Sequence, residues 1–147
     1  MHTTETENYL YTNSFDIEGG NFSKAGTVAT RIKSILKEMG LPNDVVRKSA
    51  IVSYESEINI VSYARKGIIN LKVTPKIVEI DVTDEGPGIP DIELAMKQGY
   101  STANQQIREM GFGAGMGLYN IQCYSDKFNI SSEVNKGTFL KIIVNIP

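Results

Sequence analysis

A chain of 147 residues, 41% hydrophobic and 22% charged, has room for one domain with a substantial core and the composition of a soluble globular protein. A net charge of −2 with no basic block argues against a nucleic-acid partner, and no apolar run approaches membrane-span length. The single cysteine, Cys123, rules out an internal disulfide and points with the polar N-terminus to the cytoplasm, while the only histidine, His2, lies in a terminus expected to fray, which argues against a Ser-His-Asp triad or a histidine-rich metal site and leaves carboxylates as candidate general bases.

Tyr9 to Ile17 alternates loosely and is rich in aromatics, the pattern of a strand, and "EGGN" turns the chain. From Ser23 to Met39, Val28, Ile32, Ile35, Leu36 and Met39 recur at helical spacing, with Gly40 where a C-terminal glycine belongs and Pro42 beyond it. Asn43 is the expected N-cap of a longer helix to about Ala64, with an apolar stripe of Ile51, Tyr54, Ile58 and Val61. The period then changes: "GIINLKV" and "KIVEIDVT", separated by "TPK", predict a β-hairpin. Asp91 to Gln98 predicts a short helix. A long polar, glycine-rich connection follows, then a helix from about Met116 to Asp126 and a closing hairpin that turns at Asn135-Lys136-Gly137. No repeat or linker divides the chain. The expectation is one domain over residues 1–147, with 1–7 disordered, in an α+β fold: a two-layer α/β sandwich with helices on one face of a mixed, mostly antiparallel sheet.

"MGFGAGMGLYN", Met110 to Asn120, places glycine at 111, 113, 115 and 117. Each glycine loses more entropy on ordering than other residues, so the run costs stability. A Walker A loop is absent because Gly-Lys occurs nowhere, and a dinucleotide fingerprint fails because Met116 or Leu118 stands where its third glycine belongs. There is no His-Arg-Asp loop of the protein-kinase type, and a calcium loop starting at Asp81 would place Ile92 where a bidentate glutamate is needed. What remains is a glycine-rich loop opening a helix, where free amides attract anions and phosphate can approach the bare backbone. Taken alone, the run also fits a flexible surface loop.

Three further stretches stand beside it. In "DVTDEGPGIP", Asp84 ends a β-branched strand and Gly86 and Gly88 follow, an arrangement able to hydrogen-bond a flat ligand; a plain turn has the same composition. In "ESEIN", Glu55 and Asn59 are four apart on one helix face at the edge of the expected core, suited to water activation beside a bound magnesium or to an ordinary polar pair. Glu57 lies about 200° round from Glu55 and is expected to be solvated. In "NKGTF", Gly137 allows a turn and Thr138 begins the last strand, which by itself is a hairpin.

Glu-x-x-x-Asn on a helix, Asp-x-Gly-x-Gly-Ile after a strand, Gly-x-Gly-x-Gly-Leu opening a helix, and Gly-Thr before a strand occur in that order. The set resembles the GHKL ATPases with the Bergerat ATP-binding fold. Through "NIVSYA", "DEGPGIPDIELAMKQGYST" and "GAGMGL" it is most similar to the small bacterial anti-sigma-factor and switch serine/threonine kinases of the RsbT and SpoIIAB kind. The resemblance implies ATP and Mg2+ as cofactors. It implies Glu55 as general base, Asn59 as the magnesium ligand, and Asp84 as acceptor of the adenine amino group, with Gly86, Gly88 and Ile89 around the base and Thr138 completing that pocket. Gly113, Ala114, Gly115, Met116, Gly117 and Leu118 form the phosphate-binding glycine box, and residues 100–115 a lid over ATP.

Two departures are visible: Tyr119 stands where the switch kinases often have proline, and "YARKGII" replaces more usual small residues. Arg65, Lys97 and Arg108 are each able to reach phosphate or a partner, or to serve as surface salt-bridge residues. Cys123 is expected to be a buried helix residue. The implied activity is transfer of the ATP γ-phosphate to a serine or threonine of a STAS-domain regulatory protein. The alternative is an ATP/ADP-sensing module that sequesters a partner such as a sigma factor with little or no transfer. A histidine-kinase catalytic half is disfavoured for want of dimerisation helices and a phospho-accepting histidine. Homodimerisation is left open, and neither nucleic acid nor membrane is an expected partner.

Overall fold

The computed structural model describes residues 9–97 and 117–147. Five strands, β1 (Tyr11–Glu18), β2 (Lys66–Val73), β3 (Ile77–Glu85), β4 (Lys127–Glu133) and β5 (Gly137–Asn145), form one sheet in the order β1-β2-β3-β5-β4. Every pairing is antiparallel. The two expected hairpins are β2–β3 and β4–β5, with Val73 opposite Val78 and Ile130 opposite Leu140. Alternation along the strands places Ile69, Leu71, Val73, Val78, Ile80, Val82, Leu140, Ile142 and Val144 in the core.

The helices are α1 (Thr27–Glu38), α2 (Asn43–Tyr63), the short α3 (Ile92–Ala95) and α4 (Gly117–Tyr124). A 3-10 turn at Phe22–Lys24 replaces the start of the first expected helix. Ile32, Ile35 and Leu36 are buried as the spacing predicts, while Val28 and Met39 pack against the core from partly buried positions. Asp91 caps α3, its carboxylate accepting the Leu94 N–H at 3.0 Å.

Helix α2 sets the plan of the molecule, lying between α1 and α4 and against the sheet. Two expectations for it are corrected. Asn43 is its first helical residue; Pro42 holds the N-cap position, and no side chain caps it. Tyr54 is not core but 43% exposed. The buried line runs instead through Val45, Ser49, Val52, Ser56 and Ile60, with Ser53 beside it. Ser49, Ser53 and Ser56 are all fully buried. Small side chains let neighbouring elements approach closely, and the Ser56 hydroxyl is satisfied within the helix by donating to the Val52 carbonyl at 2.7 Å. Of the expected stripe, Ile58 and Val61 are buried, Ile51 is partly so and Tyr54 is not; a hydropathy stripe overlooks the serines that widen the true buried face.

Candidate functional site

One end of the candidate site is built from strand backbone. Asp84, near the end of β3, is half-buried, and its Oδ1 accepts the Thr138 N–H from β5 at 3.1 Å. Burial raises the Asp84 pKa above the ordinary aspartate value, and the Thr138 N–H pulls it partly back. Gly88 has φ +74°, and a Cβ there would lie 2.3 Å from the Glu133 carbonyl oxygen, so no other residue fits without moving the β4–β5 turn. A Cβ on Gly137 would lie 2.0 Å from the Asp84 carbonyl oxygen. The turn is tied to the segment after β3 by Asn135 N–H to Pro87 O at 2.8 Å and Gly86 N–H to Lys136 O at 3.2 Å.

Ser132, which the motif pattern did not single out, ties this end together. Its Oγ accepts the Ile89 N–H at 2.8 Å and lies 2.8 Å from Thr138 Oγ1 and 3.1 Å from the Gly137 carbonyl. Asp84, Gly86, Gly88, Ile89 and Thr138, scattered over 54 positions of sequence, thus meet at one place.

The other end is built from helices. Glu55 and Asn59 are both half-buried on α2 and face α4. The Glu55 Oε2 accepts from Asn120 Nδ2 at 2.9 Å. Gly117 lies so close to Asn59 that a Cβ would sit 2.8 Å from Asn59 Oδ1. Leu118 packs against the hydrophobic core. The two ends are joined by α2 itself: Ala64, at its C-terminus, packs against Gly86, where a Cβ would lie 3.1 Å from Ala64 Cα. Asn59 and Ala64 are about 7.5 Å apart along the helix axis at the standard rise per residue.

Gly113, Ala114, Gly115, Met116, Arg108 and the lid at 100–115 lie outside the described residues. Arg65 is exposed and pairs with Glu85, which Lys66 also approaches at 3.3 Å, so the salt-bridge reading holds for Arg65. Lys97 is exposed just beyond α3. Cys123 is not buried but exposed, because the core-facing residue of that turn is Ile121.

The largest correction concerns Glu57. It is not solvated but 2% exposed. Its Oε2 accepts the N–H groups of Gly26 at 3.0 Å and Val28 at 3.2 Å, and its Oε1 that of Ala29 at 2.9 Å. Gly26, with φ 94°, holds the N-cap position of α1 and has no side chain to cap the first turn. The cap comes from α2 instead, a carboxylate at the positive end of the α1 dipole. The sequence pattern, which starts the helix at Ser23, shows neither the glycine N-cap nor its distant substitute.

Residues 51–147 match the family described as histidine kinase-, DNA gyrase B-, and HSP90-like ATPase. The chain belongs to this family of ATPases. It is 32% identical over 117 residues to the serine/threonine-protein kinase RsbT of Bacillus subtilis, a match covering 76% of this chain and 80% of the relative. It is 33% identical over 100 residues to the anti-sigma F factor of Caldanaerobacter subterraneus subsp. tengcongensis, covering 68% of this chain and 62% of that protein. In fold it is similar to the catalytic domain of histidine kinase ThkA, with a TM-score of 0.50 at 16% identity over 93% of this chain and 97% of the other.

The residues present fit the nucleotide the family implies. The strand end combines a half-buried carboxylate acceptor with glycines that let the β4–β5 turn, the segment after β3 and the end of α2 close tightly around it. For magnesium, Asn59 offers an amide oxygen, the hard donor type this ion takes. Among the described residues no group of three or more His, Cys, Asp or Glu could hold a metal by itself.

Proposed function

We propose that this ATPase-family chain is a protein serine/threonine kinase of the anti-sigma or switch type, which transfers the ATP γ-phosphate to a serine or threonine of a STAS-domain regulatory protein in the cytoplasm. The observation that carries the reading is the placement of Glu55 and Asn59, one turn apart on a half-buried helix face, beside the first turn of α4. Its support from relatives is the similarity to the RsbT kinase.

In this reading Asp84 accepts a hydrogen bond from the adenine amino group, and Gly86, Gly88, Ile89 and Thr138 shape the base pocket. Gly113, Ala114, Gly115, Met116, Gly117 and Leu118 bring backbone to the phosphates. Asn59 holds Mg2+, which when bound supplies charge neutralisation on the phosphate oxygens. Glu55 accepts the proton of the attacking hydroxyl as its oxygen bonds to the γ-phosphorus and ADP departs with the electrons of the broken bond.

A second reading is favoured by the similarity to anti-sigma F factors: an ATP- or ADP-dependent module that holds a regulatory partner, such as a sigma factor, with little transfer. Incubation of the chain with γ-labelled ATP, magnesium and a panel of STAS-domain proteins separates the two. The kinase reading expects label on a serine or threonine of one panel member. Tight ATP binding and a stable partner complex without label give the site to the sensing reading.

A further inference from the structure

Helix α4 meets the Glu55–Asn59 pair through successive residues of one face: Gly117 against Asn59, and Asn120, three residues on, against Glu55. We infer that Asn120 is a positioning residue for Glu55, an inference that rests on the kinase reading above. A carboxylate only accepts hydrogen bonds, so Asn120 presents its amide NH2 to Glu55, and the 2.9 Å contact is charge-assisted. The terminal torsion of a glutamate is broad and close to two-fold. One fixed donor on Oε2 restrains that torsion, and among the described residues no donor meets Oε1, which leaves it as the oxygen able to take a proton. Among the described residues Asn120 makes the hydrogen bond to Glu55 that spans α2 and α4, across 65 positions of sequence.

The alternative account is a polar pair that merely fastens α4 to α2. The packing argues against it. Ile121, the next residue, is fully buried, and Leu118 and Tyr124 pack on the same core, so α4 is docked by apolar contacts on either side of Asn120. Asn120 itself remains half-buried with its amide directed at Glu55 rather than into the core. The same first turn that lies on Asn59 therefore also orients the proposed base, so the two residues are set together by α4.

The test is ATP turnover by the full chain, with an acceptor where one has been found, in wild type, N120A, N120D, E55Q and the double variant N120A/E55Q. The expectation for N120A is a fall of about 10- to 100-fold in kcat with KM for ATP unchanged, the size typical when a group that orients a reacting residue is removed. On E55Q, N120A should add no further loss, because its effect passes through the Glu55 carboxylate. N120D replaces the donor by a second carboxylate. Its activity should be low at neutral pH and rise relative to wild type as pH falls, since a protonated carboxyl donates as the amide does. Unchanged kcat in N120A, or a loss that recurs in full on E55Q, overturns the inference; so does an N120D profile parallel to wild type. Failure of the kinase reading is distinct: wild type itself then turns over no ATP, and the role of Asn120 falls with that of the base.

Discussion

Glu55 and Glu57 stand two residues apart on α2 and about 200° apart around its axis, and they face different worlds. Glu57 points to α1, is 2% exposed, and spends both carboxylate oxygens on three backbone N–H groups. Glu55 points to α4, is half-buried, and among the described residues has one oxygen engaged by one side-chain amide. Burial by itself does not mark a catalytic carboxylate. A saturated carboxylate is part of the scaffold, whereas one with an oxygen in reserve and a single fixed donor is free to take a proton. The more deeply buried of the two is thus the less suited to chemistry.

The largest expected effect sharpens this contrast on the Glu55 side. Glu55→Gln keeps size and polarity but removes basicity, and should lower phosphoryl transfer by on the order of 10²–10⁴. ATP affinity by calorimetry and the thermal midpoint should stay near wild type. On the other side, Glu57→Ala leaves the amides at the start of α1 without their acceptor and should cost about 3 kcal/mol in urea unfolding, with normal transfer per folded molecule. A Glu57→Ala protein that is stable but inactive, beside an active Glu55→Gln, would exchange the two roles and with them the register of the site.

The same division applies to two glycines. Gly88→Ala drives a Cβ toward a backbone carbonyl at positive φ, which cannot yield cheaply; the expected cost is about 1–3 kcal/mol of stability. At Gly117→Ala the three nearest atoms among the described residues all belong to the Asn59 side chain, which can shift. Alanine is the better helix former, so stability should hold while magnesium-dependent ATP binding weakens. Equal unfolding midpoints for the two variants would remove the distinction between the strand-built and helix-built ends.

The smallest effect on the folded protein is expected at Asp84. Burial raises its native pKa above the ordinary 3.8. Between that value and the raised one, the native state holds a proton that the unfolded state has released, so stability declines as pH rises through this window and stays lower above it. Asp84→Asn should flatten that part of the stability profile and leave the nucleotide-free protein slightly more stable at neutral pH. The same variant should weaken ADP binding by about 1–3 kcal/mol if the carboxylate accepts the adenine amino group. Unaltered ADP affinity would take Asp84 out of the base pocket.

The sequence by itself determined the features that near neighbours control. The strand alternation from Gly67 onward, the burial of Ile32, Ile35 and Leu36, and the shared face of Glu55 and Asn59 all follow from the period of a strand or helix, which is local geometry. The glycines beside Asp84 were legible as punctuation, but that Gly88 is crowded by Glu133 and Gly137 by Asp84 belongs to strands brought together by the sheet. Only the tertiary structure decided that Ser49, Ser53 and Ser56, not Tyr54, line the core face of α2, that Ile121 displaces Cys123 from the interior, and that Ser132 bridges Ile89 and Thr138. Glu57 finds its amides 28 to 31 residues away, and Asn120 reaches Glu55 across 65. Burying a charged carboxylate or an amide costs free energy that its hydrogen bonds must offset, and the groups that meet Glu57 and Asn120 come from elements that periodicity, which sees one element at a time, cannot bring face to face.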